Sequence, residues 1–327
     1  MNTRYIYDVD LAPIAGSTFQ PTGFPDIGAA TFTRFQDDEE VDSLLLESVQ
    51  SMANRLEATA WDAATQQPVT AVTGLPYLRV IRAGTGEFLT SSRCEAHRLA
   101  SPFVHTATLD GTPMVTVIAE RLDLKQDTPL NYPAIAAAIA RLDPFCLLHG
   151  VFFTQKQWLG QPRITRAVSA VIEAHGVRRA VSGGRKSDQV RHNLGQEGEG
   201  GTAEGYGSVP FTRIEWTARR IPASFVIDVE LLHSYGLPEP ATQALIALAM
   251  WEIRHLLDGG LRLRTACDLE PTTAIAARRG PELPSAEELT DTLVGLIAKS
   301  GETFGDGQPI TVEWTGKSGK SGKAAKV

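Results

Sequence analysis

The stretch Ala241–Leu257 is apolar nearly all round and runs into Gly259-Gly260. A surface helix carries a single apolar stripe, so a helix that lacks a polar face belongs in an interior, covered on all sides. The cover must come from other elements, and the rest of the chain supplies both kinds. Tyr5, Tyr7, Val9 and Leu11 alternate with Ile6, Asp8 and Asp10, the period-two pattern of an opening strand with one wetter face. Strand-like runs recur at Met114–Ala119, Gly150–Thr154, Phe211–Ala218, Phe225–Val229 and Ile310–Trp314. They are interleaved with predicted helices, which makes the class α+β with a mixed or antiparallel sheet. With 327 residues, one large elaborated core and two small ones are both open on length alone.

Helical spacing sets Leu45, Val49, Met52, Ala53, Leu56 and Ala60 on one face and predicts an amphipathic helix from Leu44 to Trp61. Further helices are expected at Ala134–Leu142, between Pro133 and Asp143-Pro144, and at Thr165–His175, closed by Gly176. Ser285-Ala286-Glu287-Glu288 is a capping box, opening a helix that buries Leu289, Leu293, Leu296 and Ile297. Phe19-Gln20-Pro21-Thr22-Gly23-Phe24-Pro25 reads as a rigid loop with exposed aromatics, and Asp37–Glu40 as an acidic turn. Eight of the 29 glycines fall between Gly183 and Gly207, the composition of a long projecting loop. The Gly/Ser/Lys repeat from Gly316 to Lys323 reads as a disordered basic tail.

Several kinds of chemistry find no support. Cys94, Cys146 and Cys267 are scattered, and the seven histidines lack zinc-type spacing, so neither a disulfide framework nor a metal is expected. No Gly-x-Ser-x-Gly elbow occurs, and Gly198-Glu199-Gly200 and Gly205-Tyr206-Gly207 complete no dinucleotide loop, so no cofactor is expected. Apolar runs are too short to span a bilayer, and the start is unlike a secretory signal, so the expected location is cytoplasmic without membrane attachment.

A net charge of −7 argues against a protein that coats nucleic acid over its whole surface, yet the balance is uneven. From 161 to 193 there are seven basic residues, Arg163, Arg166, Arg178, Arg179, Arg185, Lys186 and Arg191, against Glu173 and Asp188, which is +5 locally. Arginine forks onto phosphate in a planar bidentate geometry and stacks on bases, although a solvated helix face or loop would look the same in one dimension. On the predicted helix near residue 50, Ser48, Ser51, Arg55 and Asp62 form one polar row and Gln50, Asn54 and Glu57 another. Small polar groups with one arginine suit a sugar–phosphate backbone.

The strings Phe19–Ala30, Glu47–Glu57, Glu95–Pro102, Asp143–Phe145, Leu148–Phe152, Arg163–Ala174, Glu204–Phe211 and Leu261–Leu269 resemble the backbone subunit of type I-G (formerly I-U) CRISPR Cascade complexes. The resemblance covers about residues 5 to 315. It implies the RAMP superfamily: a modified RNA-recognition-motif (ferredoxin-like) palm with large insertions, occupying 1–315 as one domain, with a thumb or finger at about 183–207. It further implies a non-catalytic subunit that polymerises along CRISPR RNA, holding the spacer for target DNA beside further copies of itself and other Cascade subunits. The residues then expected to meet RNA are Phe19, Gln20, Ser48, Ser51, Asn54, Arg55, Arg98, Arg163, Arg166, Arg185, Lys186 and Arg191. The alternative is a RAMP endoribonuclease acting on precursor RNA, with His97, His149 or His192 as general acid or base.

Overall fold

The computed structural model describes residues 3–24, 28–187 and 208–316. The helix Glu239–Asp258 is the centre of the interior, with buried side chains around its circumference, from Ala241 and Leu245 to Trp251, Ile253 and Leu257. It packs against the helices Ala286–Lys299 and Val49–Ala58 and the strand Ile221–Asp228, which is why it needs no polar face. Trp251 carries the one polar atom of its indole to the edge of that packing and donates from Nε1 to Thr290 Oγ1 at 2.9 Å. The capping box closes as predicted: Ser285 accepts from the Glu288 backbone N–H, and the Glu288 carboxylate accepts from that of Ser285.

An antiparallel sheet lies against these helices. Its order is Leu261–Arg264, Cys267–Pro271, Arg4–Pro13, Ile221–Asp228, Val168–His175, Glu39–Glu47 and Thr31–Gln36, with Ala276–Arg279 also pairing with Arg4–Pro13. Tyr7, Val9 and Leu11 face the core beside Ala223, Phe225 and Ile227, while Asp8 and Asp10 face outward. Those two carboxylates are tied to Arg278 at 2.6 Å and Arg220 at 2.7 Å. A smaller sheet joins Ile310–Trp314 to Leu78–Arg82 in parallel and Leu78–Arg82 to Phe88–Ser91 in antiparallel. Among the described residues no helix is long and apolar enough to cross a membrane.

Four expected elements differ. Residues 165–175 form the strand Val168–His175 instead of a helix, because Val168, Ala170, Ile172 and Ala174 alternate inward and both long edges are paired. Met114–Arg121 is a helix instead of a strand, with Met114 and Ile118, four apart, buried on one face. The predicted Leu44–Trp61 helix begins only at Val49: Leu44 and Leu46 are core residues of the strand Glu39–Glu47, and Ser48 caps the helix from an extended conformation. Phe19 is core, 1% exposed, with its backbone bridged to Trp216 in both directions at 2.9 and 2.8 Å. The expected loop from Gly183 starts later, since Arg178–Ser187 pairs with Ser208–Thr217 through Ser187 and Ser208 as a projecting two-stranded arm. Residues 188–207 and the tail from 317 lie outside the described residues.

Candidate nucleic-acid interface

Three short, separate pieces of chain build one groove. The first is the start of the helix Val49–Ala58, where Ser48 Oγ accepts the Ser51 N–H at 3.3 Å and no acidic residue sits in the first turn. Its positive end therefore keeps its partial charge unopposed at short range. The second is the 3₁₀ turn Arg98–Ala100, preceded by His97. The third is the two-stranded ladder of Val151–Phe152 with Arg163–Ile164, which sets Phe152 directly opposite Arg163. Between them lies a groove of about 610 Å³ whose lining includes Val49, His97, Arg98, His105, His149, Phe152, Arg163 and Arg166.

Arg163 and Arg166 are exposed and make no ion pair among the described residues. The Arg163 guanidinium lies 5.2 Å from the centre of the Phe152 ring, itself 45% exposed. An arginine held against an aromatic ring offers phosphate a pre-oriented fork and bases a stacking edge. Arg98 is different. It is buried, holds the Glu57 carboxylate with Nε at 2.7 Å and with Nη2, and donates from Nη1 to the Gly150 carbonyl at 3.2 Å. Burial alone would lower the Arg98 pKa, and the Glu57 carboxylate more than reverses that, keeping the guanidinium charged. Arg98 thus spends its charge inward and fixes the groove floor.

The other predicted contact residues are dispersed. Arg55 is held by Glu47 at 2.9 Å and by the carbonyls of Leu263 at 2.9 Å and Arg262 at 3.3 Å, so it ties the helix to the sheet. Ser48 serves as the N-cap, Ser51 is half-buried, and Asn54 faces solvent one turn further along. Gln20 lies apart, in a second groove of about 660 Å³ at the root of the arm, with Arg179, Trp216 and Arg264. Phe19, being core, has no surface to offer. Arg185 and Lys186 belong to the arm by their backbone, whereas Arg191, like His192, falls outside the described residues.

Sequence reading missed Phe152, His105, Trp216 and Arg264. Phe152 and Arg163 are paired across a two-residue ladder, and no periodicity announces so short a ladder; only the Gly150–Thr154 strand signal hinted at it.

The geometry defines an α+β protein with a positively lined groove and a projecting arm. The family model described as CRISPR-associated protein GSU0053 (Cas_GSU0053) matches residues 6–179. The chain belongs to that family. No protein with a curated description matches it. Among solved structures, it is similar to a chain titled "CRISPR RNA-guided surveillance complex, pre-nicking", at 13% identity and a TM-score of 0.40, covering 82% of this chain and 74% of that one. It is also similar to the chain of "Crystal structure of Thermofilum pendens Csc2", at 11% identity and a TM-score of 0.32, covering 91% and 77% respectively.

Proposed function

We propose that this chain is a CRISPR-RNA-binding backbone subunit of a type I-G Cascade surveillance complex. In this reading it is a RAMP protein whose antiparallel sheet and flanking helices are a modified RNA-recognition-motif palm, and whose arm serves as thumb or finger. Copies polymerise along the guide, beside the other Cascade subunits, and hold the spacer for pairing with target DNA; the subunit itself carries no catalysis. Membership in a CRISPR-associated family supports the setting. The observation that carries the RNA role is the groove in which Arg163 and Arg166, both without ion-pair partners among the described residues, converge with the Val49 helix start. Such a site grips phosphate and leaves bases free, which a subunit serving variable guides requires. Purifying the chain co-expressed with CRISPR RNA tests it: RNA retained at low salt and shed at high salt is expected, and protein free of RNA at low salt would refute it.

One observation favours a second reading. His97, His105 and His149 share the groove with the two arginines, a composition that a metal-independent endoribonuclease could use. Uncut precursor RNA after incubation with wild-type protein removes that reading; cleavage lost in His97→Ala or His105→Ala supports it.

A further inference from the structure

His149 ends the helix Phe145–His149, is wholly buried, and forms part of the groove lining. Its Nε2 lies 3.0 Å from each oxygen of Glu252, which assigns the ring N–H to Nε2, donated to the carboxyl group. Burial pushes the His149 pKa down to about 4, so at neutral pH the ring carries only that one N–H. Nδ1 is then a lone-pair acceptor, and it is a buried atom with no hydrogen-bond partner. An acceptor needs a donor: phosphate oxygens have none to give, whereas a hydroxyl does.

The cover over this atom is movable. A Cβ placed on Gly150, the next residue, would lie 3.3 Å from Cγ of Arg166, so the stem of that exposed arginine crosses the floor beside His149. When its guanidinium follows a phosphate, the stem swings with it. We propose that the groove reads the ribose, with a phosphate gripped by Arg163 and Arg166 and the neighbouring 2′-hydroxyl donating to His149 Nδ1, so that the site takes RNA in preference to DNA. This inference rests on the RNA-backbone reading above and adds the chemical group by which ribose is told from deoxyribose.

The test uses the full chain and labelled oligonucleotides of one sequence as RNA, DNA and 2′-fluoro RNA, the last keeping an RNA-like sugar while lacking the donor. RNA should bind about five- to tenfold more tightly than either of the others, the size of one hydrogen bond to a buried acceptor. His149→Phe should erase the difference, and Arg163→Ala should weaken all three alike. The wild-type comparison decides the matter even where His149→Phe fails to fold. RNA, DNA and 2′-fluoro RNA binding equally would overturn the inference while leaving the backbone reading standing. A preference for one homopolymer that persists in the 2′-fluoro series would overturn it too, by assigning Nδ1 to a base N–H. Binding to none of the three would overturn the backbone reading itself.

Discussion

Arg98 and Glu57 are 41 residues apart in sequence and a bidentate pair in the interior. Removing one partner of a buried pair leaves the other charge stranded, which costs about 3–5 kcal/mol. Arg98→Met should therefore lower the unfolding free energy by that order in urea melts, and a change under about 1 kcal/mol would show that the pair contributes little. Arg55→Ala should cost less, since Arg55 is half-exposed. From sequence, both arginines read as phosphate ligands, because residue type is visible in one dimension and the distant carboxylate that engages it is not. Arg163 and Arg166 carried the same one-dimensional signal, and they differ only in having no such carboxylate among the described residues. A pH effect belongs at this scale as well. Burial, with Arg34 and Arg220 nearby, holds His175 below its ordinary value even though Glu173 lies 3.5 Å away. The unfolded chain then takes up the proton first, so this residue has no effect on stability well above pH ~6.5 and lowers it as pH falls below that value. His175→Gln should flatten that acid limb in denaturation midpoints measured across pH; an unchanged limb would assign it to other groups.

At the scale of elements, legibility followed the strength of the period. The buried helix, the opening strand, the capping box and Ile310–Trp314 were all readable because a single periodicity accounts for their apolar residues. Residues 165–175 satisfied both periods at once, and strand neighbours 40 to 130 positions or so away decided for the sheet, which no local pattern can report. The groove was the least legible part, since its walls are a helix start, a single turn and a two-residue ladder. Gly150 is the hinge of that construction: its φ is +80°, and an added Cβ would meet the Ile164 carbonyl at 2.9 Å. Gly150→Ala should destabilise the chain by about 1–3 kcal/mol and weaken RNA binding with it, both read on the same preparation. Ser285→Ala, far from the groove, should cost about 1 kcal/mol and leave binding untouched.

For the whole molecule, a net charge of −7 coexists with a groove whose free charge is positive. Outward-facing acids such as Asp8 and Asp10 are already paired with Arg278 and Arg220, so the excess acid lies elsewhere, including the Asp37–Glu40 turn at the tip of the strand pair Thr31–Gln36 and Glu39–Glu47. The account places backbone recognition in Arg163 and Arg166, and the dependence of RNA affinity on salt tests that most directly. Each phosphate contact on a single strand adds about 0.7 to the slope of log Kobs against log salt. Arg163→Ala with Arg166→Ala should lower the slope by about 1.4 and weaken two unrelated guide sequences equally. A slope unchanged in the double variant, or a loss confined to one of the two sequences, would contradict the account.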